Sequence, residues 1–331
     1  MKRKLVVITQ QVDPDDPVLG ATVPKLAALA ERVDELVVLA LGAKRGVLPD
    51  NVRVKVIGSE TRGARGRRFA FSLLPELFPR PVAVLAHMAP IYAVLAAPLA
   101  RPLRIPVLLW FTHPQDSALL RRAVSVSSAV LTADERSFPF TSPKVHAIGH
   151  GIDVGRFAPA PAQDRWPLRA LALGRFSRVK GYETLAEAVR VVNGVELDVV
   201  GPSLSPDDEE FRLSLDGPKV RTLDSVPYSG VPGLLRDYDL FLSNTKAGSA
   251  DKVVYEAAAT GLPVLASSPA FESFLPEILR FEDEEQLVNR LRGIVAISAE
   301  ERSALGSELR SRVERDHSVG SWADRVLAEA R

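Results

Sequence analysis

Short runs of β-branched and apolar residues alternate with stretches of helical spacing from the first residue onward. Residues 4–9 (KLVVIT) predict a strand, and residues 23–32 (VPKLAALAER), with apolar positions three and four apart, predict an amphipathic helix. Further strands are predicted at 36–41, 52–57, 83–86, 107–111, 129–132 and 145–148. Short strands bounded by turn residues and separated by helices imply βαβ units and hence a parallel sheet. The fold class is therefore α/β, with a Rossmann-like, doubly wound domain over residues 1–152.

The pattern then pauses and restarts. Gly151-Ile152-Asp153 closes the first domain, and residues 153–168 contain FAPAPAQDRWP, a Pro- and Ala-rich polar segment with the character of a linker. Strands at 170–173, 197–200, 220–222, 240–243 and 263–266, with helices at 182–192, 231–236 and 252–260, predict a second Rossmann-like domain over 169–331. The tail is helical from residue 299, and its last amphipathic helix, 322–330, is expected to pack back on the first domain. The sequence holds no internal repeat and no low-complexity segment.

A length of 331 residues suits two full cores, since single cores stop growing near about 250–300 residues. With 46% hydrophobic and 25% charged residues the composition is that of a soluble globular protein. There is no cysteine, which excludes disulfides and thiolate metal sites. The basic start and the apolar run 5–8 echo a signal peptide, but that run is too short for its apolar core and reads as the first strand. No stretch approaches the roughly 20 apolar residues of a membrane span, so the expected location is cytoplasmic, with a peripheral place at the inner face of the membrane as an option. The net charge of +1 hides an asymmetry: residues 1–152 hold 20 Lys and Arg against 12 Asp and Glu, and residues 153–331 hold 22 against 29. A basic half suggests an anionic partner, and mutual attraction of the halves is the plainer reading. Near-neutral total charge and the lack of a recognition motif argue against nucleic acid. GxGxxG, GxxxxGK[ST], HExxH and GxSxG are all absent.

Two stretches of the second half carry candidate chemistry. LALGRFSRVKGYETLAEAV places Gly174-Arg175 and Lys180-Gly181 between a strand and a helix. DKVVYEAAATGLPVLAS places Glu256 on a helix that ends at Gly261, ahead of a buried strand. Open α/β sheets bind ligands beyond the carboxyl ends of their strands. Arg175 and Lys180 offer two positive charges to an anion, joined by free N–H groups at the helix start. Glu256 offers a carboxylate to a pair of sugar hydroxyls. A basic pair for a diphosphate and a carboxylate for a ribose describe a nucleotide-sugar site. Surface loop charges and a solvated glutamate are the bland alternative for the same residues.

In these motifs the chain resembles the retaining GT-B glycosyltransferases of family 4, the glycosyl transferases group 1. The resemblance covers nearly the whole chain, with specific motifs in the second half and mainly order and pattern in the first. It implies two Rossmann-like domains facing a cleft, the first binding the acceptor and the second the donor. The implied reaction moves a sugar from a nucleotide-sugar donor to an acceptor hydroxyl with retention of configuration and without a metal. No cofactor is expected, a UDP- or GDP-sugar is the expected donor, and the acceptor is expected to be anionic, lipid-linked or another glycan.

The resemblance assigns Gly174, Arg175 and Lys180 to the donor diphosphate, where fixed positive charge stabilises the leaving group. It assigns Glu256 to the ribose and His113, in LLWFTHPQD, to the transferred sugar, although a satisfied histidine at a strand end fits His113 as well. His87, in LAHMAP, matches a family histidine position less specifically. Gly20 fits the glycine loop after the first strand, Gly201 ends a strand near the nucleotide, and Tyr228, after Pro227, falls where backbone packs against the base. His150-Gly151-Ile152-Asp153 resembles the family's Asn-Gly-Val-Asp turn and is read as structural.

One departure concerns the sugar. The family has a glutamate eight positions before the ribose-binding one, where this chain has Gly248. The amides of Gly248, Ser249 and Ala250 are candidates for an anion- or hydroxyl-binding nest, and Asp251 or Lys252 for part of the lost role. Two rival readings follow the architecture and this departure: a nucleotide-sugar epimerase, and a catalytically inactive nucleotide-sugar-binding subunit. Asp237 and Asp239 match DxD as a string but flank a strand start, so packing at a helix end is expected of them and no metal site is expected. Arg62, Arg65, Arg67 and Arg68 precede FAFSLLPELF, which suggests peripheral membrane contact through residues 62–78, against a basic loop leading into a core helix.

Overall fold

The computed structural model describes residues 3–16, 19–159, 164–245 and 248–330. Residues 160–163 of the expected linker, and Lys246 and Ala247 ahead of Gly248, lie outside the described residues. The chain divides into two compact units, residues 1–153 with 316–331, and residues 154–315.

In the first unit seven parallel strands, β1 (Lys4–Val12), β2 (Glu35–Ala43), β3 (Val52–Val56), β4 (Ala83–His87), β5 (Val107–Trp110), β6 (Ala129–Thr132) and β7 (Val145–Ala147), lie in the order β3-β2-β1-β4-β5-β6-β7. Ile8 of β1 stands in register with Leu39 on one side and Ala86 on the other. Strands covered on both faces need apolar residues at nearly every position, which is why these segments read as continuous runs rather than alternations. The helices are α1 (Thr22–Ala30), α2 (Arg62–Leu73), α3 (Pro90–Ala100) and α4 (Ala118–Val126). Phe69 and Leu73 of α2 and Tyr92 of α3 pack on Ile8, Leu39, Val84 and Leu109 in one core.

The strands at 129–132 and 240–243 match the sequence expectation, and the others differ from it by one to three residues. β1 runs on through Gln10 and Gln11, and β2 through Gly42 and Ala43, because their ladder continues, pairing Gln11 with Gly42 and Val12 with Ala43. Residues 57, 111 and 148 fall outside strands instead. The last helix spans Val319–Ala328 rather than 322–330, since the Ser318 hydroxyl accepts from the Ser321 amide at 3.2 Å and starts the helix there. This helix is tied to the first unit. Ile152 donates to the His317 carbonyl at 2.6 Å, Val319 donates to the Ile152 carbonyl at 2.9 Å, and Arg32 pairs with Asp324 at 2.6 Å. Trp322 stands edge-on to Trp110 at 5.6 Å, and Lys25 Nζ lies 5.2 and 5.6 Å from the two ring centres. Gly151, at φ +75°, has no room for a side chain: a Cβ would lie 2.8 Å from Lys25 Cε and 3.1 Å from Trp322 Cγ.

In the second unit five parallel strands, β8 (Leu168–Leu173), β9 (Val195–Val200), β10 (Val220–Leu223), β11 (Leu240–Ser243) and β12 (Val264–Ala266), lie in the order β10-β9-β8-β11-β12. The connecting helices are α5 (Tyr182–Val191), α6 (Pro206–Leu215), α7 (Val231–Arg236), α8 (Lys252–Ala259), α9 (Glu284–Ala296) and α10 (Ala299–Arg312). The chain moves outward from β8 through β9 to β10, then returns to the other side of β8 for β11 and β12. That reversal creates a topological switch point at the carboxyl ends of β8 and β11, the place where such sheets hold ligands. Gly306 of α10 packs so closely on the end of α8 that a Cβ there would lie 1.7 Å from the Gly261 carbonyl oxygen. Arg310 adds hydrogen bonds to the carbonyls of Ala259 and Phe157.

Candidate functional site

The loops after β8, β9 and β11 meet at the switch point, and glycines let them meet. Gly174, at φ +151°, donates to the Val200 carbonyl at 3.0 Å and accepts from the Tyr182 hydroxyl at 3.0 Å. A Cβ on Gly201 would lie 1.9 Å from the Gly174 carbonyl oxygen, so the ends of β8 and β9 touch backbone to backbone. Gly181, at φ +58°, starts α5, and a Cβ there would lie 2.4 Å from Asn244 Nδ2. Asn244, just past β11, donates that same nitrogen to the Gly181 carbonyl at 3.1 Å. Ser267, just past β12, donates to Asn244 Oδ1 at 2.7 Å. The frame is closely packed and hydrogen-bonded.

Arg175 is exposed in this frame and has no hydrogen bond or ion pair with the described residues. Lys180 lies five residues on and is half-buried, its Nζ 2.6 Å from Asp251 Oδ2. The same oxygen accepts from the Thr245 hydroxyl, and Asp251 Oδ1 accepts from the Ser249 hydroxyl at 2.8 Å. Burial, with Asp251 adding to it, holds the Tyr182 phenol well above its ordinary range, so it stays a hydrogen-bond donor. Gly248 has φ +70°, a conformation that costs a side-chain-bearing residue energy. This is a local reason for glycine where the resemblance expects glutamate.

Glu256 lies in the second turn of α8 with 2% of its surface exposed, so it is not a solvated charge. Its Oε1 accepts from the Tyr228 hydroxyl at 2.7 Å and stands 3.2 Å from Lys252 Nζ. Lys252 Nζ also lies 3.9 Å from the centre of the Tyr228 ring, and the Arg156 guanidinium lies 4.9 Å from it. Tyr228 is thus held by a carboxylate at its hydroxyl and by two cations near its ring. Lys252, directly after Asp251, joins the Glu256–Tyr228 group to the Lys180–Asp251 group at the start of α8.

The second unit therefore brings together Gly174, Lys180 and Gly201 in one loop frame with Gly248 and Ser249, and joins Glu256 to Tyr228. His113 and Gly20 belong to the first unit. His113 is exposed just past β5, and its Nδ1 accepts from the Gln115 amide at 3.1 Å. Gly20 is buried ahead of α1 and donates to the Asp16 carbonyl at 2.9 Å. His87 is buried, with Nδ1 3.3 Å from the Thr9 hydroxyl, and burial followed by the charge of Lys25 lowers its pKa well below 6.5. Asp239 accepts from the Arg169 amide at 2.8 Å and Asp237 ends α7, so the DxD string anchors strand and helix ends. Among the described residues no group of three or more His, Asp or Glu is placed to hold a metal ion. Asn244 and Thr245, lone polar residues just past a strand, and Arg156, in the turn after Asp153, were not legible as site residues because none carries a motif. Asp251 had one signal, its place three positions after Gly248.

Residues 178–328 match the family model described as glycosyl transferase-like. No curated protein sequence matches the chain. Among solved structures, a glycosyltransferase from Rickettsia africae aligns with a TM-score of 0.76 at 13% identity, covering 100% of this chain and 98% of that one. Anabaena HepE in complex with UDP-glucose aligns at 0.74 and 16%, covering 98% of each chain. Sucrose-phosphate synthase from Thermosynechococcus elongatus aligns at 0.70 and 17%, covering 98% of this chain and 97% of that one. At such identities the likeness is one of fold, and the fold is GT-B.

Proposed function

We propose that this chain, a glycosyltransferase by its glycosyl transferase-like domain and its GT-B fold, moves a sugar from a nucleotide-sugar donor to an acceptor hydroxyl with retention of configuration and without a metal. The reading places it in family 4, the glycosyl transferases group 1. The observation that carries it is the meeting of Lys180, Gly174, Gly201 and the start of α8 at a topological switch point, beside the buried Glu256–Tyr228 pair. In transfer the bond between the sugar's anomeric carbon and the phosphate oxygen breaks, the acceptor oxygen bonds to that carbon and loses its proton, and negative charge grows on the departing diphosphate. Arg175 and Lys180 stabilise that charge, and preorganised charge of this kind is usually the largest catalytic contribution. Glu256 and Tyr228 take the ribose and base, and His113 and Gly20 contribute from the first unit. A UDP- or GDP-sugar fits this site, and the UDP-glucose held by Anabaena HepE supports that choice.

The acceptor on this reading is anionic, lipid-linked or another glycan, and binds the basic first unit. Residues 62–78 support a peripheral place on the inner membrane face. Phe71, one helical turn after exposed Arg67, is 76% exposed, and Leu74 and Phe78, in and after the turn that follows α2, are 43% and 64% exposed. No helix among the described residues is long and apolar enough to cross a membrane.

Incubation with a panel of UDP- and GDP-sugars and glycan or lipid-linked acceptors tests the reading. The expected result is acceptor-dependent release of one nucleoside diphosphate and a product whose anomeric proton coupling matches the donor's. Gly248 favours one rival, the inactive binding subunit, which would bind donor and release nothing. Epimerisation would instead appear without acceptor.

A further inference from the structure

The inference rests on the donor-site reading above and concerns a residue that reading leaves without a task. Asp251 collects three hydrogen bonds from three places in the second unit: Lys180 from the loop after β8, Thr245 from the end of β11, and Ser249 from its own loop. Both carboxylate oxygens are engaged. The pair is not sealed in the core, since the side chains of Lys180 and Asp251 keep 18% and 15% of their surface exposed. An ammonium has three N–H donors. Asp251 uses one and fixes the group, leaving the others for an anion.

The charge balance has a second consequence. With Asp251 2.6 Å from its ammonium, Lys180 meets the diphosphate as a fixed N–H donor whose charge is partly offset, and among the described residues Arg175 is an exposed cation with no ion pair. Among the described residues, a diphosphate entering here meets exposed Arg175 and the Lys180–Asp251 ion pair, and the carboxylate of that pair repels it. It binds less tightly than it would to two bare cations, and it leaves more easily once the sugar has gone.

We propose that Asp251 is a positioning residue for Lys180, one that holds the ammonium for the leaving diphosphate and weakens retention of the nucleotide product. In the loop Gly248–Asp251 the acidic side chain stands at 251 alone.

The test is isothermal titration with UDP and GDP, together with steady-state transfer kinetics, on the full chain carrying Asp251→Asn. The near-isosteric amide keeps most of the hydrogen-bonding shape, and a thermal melt verifies folding. The nucleotide that binds wild type should bind the variant about tenfold more tightly or better, as expected when a like charge is removed from a few ångströms away. Its kcat should fall by about tenfold, because the ammonium is no longer fixed. Asp251→Glu, which restores the charge, should return affinity toward wild type. In a Lys180→Ala background Asp251→Asn should lower kcat no further, since the two act through one group. A folded Asp251→Asn with equal or weaker nucleotide affinity, or with unchanged kcat, overturns the proposal while wild-type binding leaves the donor site standing. Wild type that binds neither UDP nor GDP removes the donor site and this proposal with it.

Discussion

Glu256→Gln isolates the charge of one buried carboxylate. The substitution keeps the side chain's shape and leaves an oxygen to accept from the Tyr228 hydroxyl, now 2.7 Å away. Lys252, 3.2 Å from Oε1, loses its ion-pair partner but keeps the Tyr228 ring 3.9 Å away, and about a fifth of its side chain is already exposed. The stability loss should therefore stay at about 1 kcal/mol, since the amide still accepts from Tyr228 and the ammonium left behind reaches both water and the Tyr228 ring. The effect on ligand is larger. Hydrogen bonds to a charged acceptor contribute about 1.5–3 kcal/mol against about 0.5–1.5 for neutral ones. For two ribose hydroxyls the difference comes to about 2 kcal/mol or more, a loss of roughly 30-fold in nucleotide affinity. Isothermal titration with nucleoside diphosphate gives the affinity, and a thermal melt without ligand gives the stability. Unchanged affinity in a folded variant would refute the reasoning and make Glu256 a residue that merely anchors Tyr228.

Four other outcomes are expected. Gly306→Ala should destabilise by about 2–3 kcal/mol despite alanine's helix propensity, because its Cβ would meet the Gly261 carbonyl oxygen at 1.7 Å. Gly293→Ala on α9, with nothing within 4 Å, should stabilise by about 0.5–1 kcal/mol, and chemical denaturation of both decides. His87, whose pKa is lowered in the folded chain, takes up a proton on unfolding. Its contribution to stability is therefore whole above about pH 6.5 and shrinks as pH falls below it, by at most about 1.4 kcal/mol per unit. Denaturation between pH 7.5 and about 5 should show a weaker pH slope for His87→Gln than for wild type, and equal slopes would contradict the assignment. Sedimentation with anionic vesicles should exceed that with neutral ones, fall at high salt, and weaken in Phe71→Ser with Phe78→Ser, whereas equal binding to both lipids would argue for a soluble acceptor.

The alternation of strand and helix was legible because parallel strands buried on both faces carry unbroken apolar runs, as in Leu5–Ile8. Helices without that contrast were not. IYAVLAAPLA of α3 is apolar all round and shows no period, and PDDEEFRLSL of α6 is polar over its first half. The junctions at Lys180 and Glu256 were visible as motifs, but their partners were not. Tyr228 reaches Glu256 across 28 positions and Asp251 reaches Lys180 across 71, and no local spacing encodes a contact made by strand order. Gly201 and Gly174 were singled out as possible ligand contacts. Their mutual approach, which leaves no room for a Cβ, is a matter of sheet register that only the folded chain displays.

The central claim, a donor site whose positive charge stabilises a leaving diphosphate, is tested most directly by turnover of Lys180→Ala at saturating donor and acceptor. Lys180 is half-buried on a loop, and its loss should leave the fold intact in a thermal melt. The account predicts a fall in kcat of about a hundredfold or more, with Arg175→Ala adding less than its full effect when combined. Near-wild-type turnover in a folded Lys180→Ala variant would contradict it.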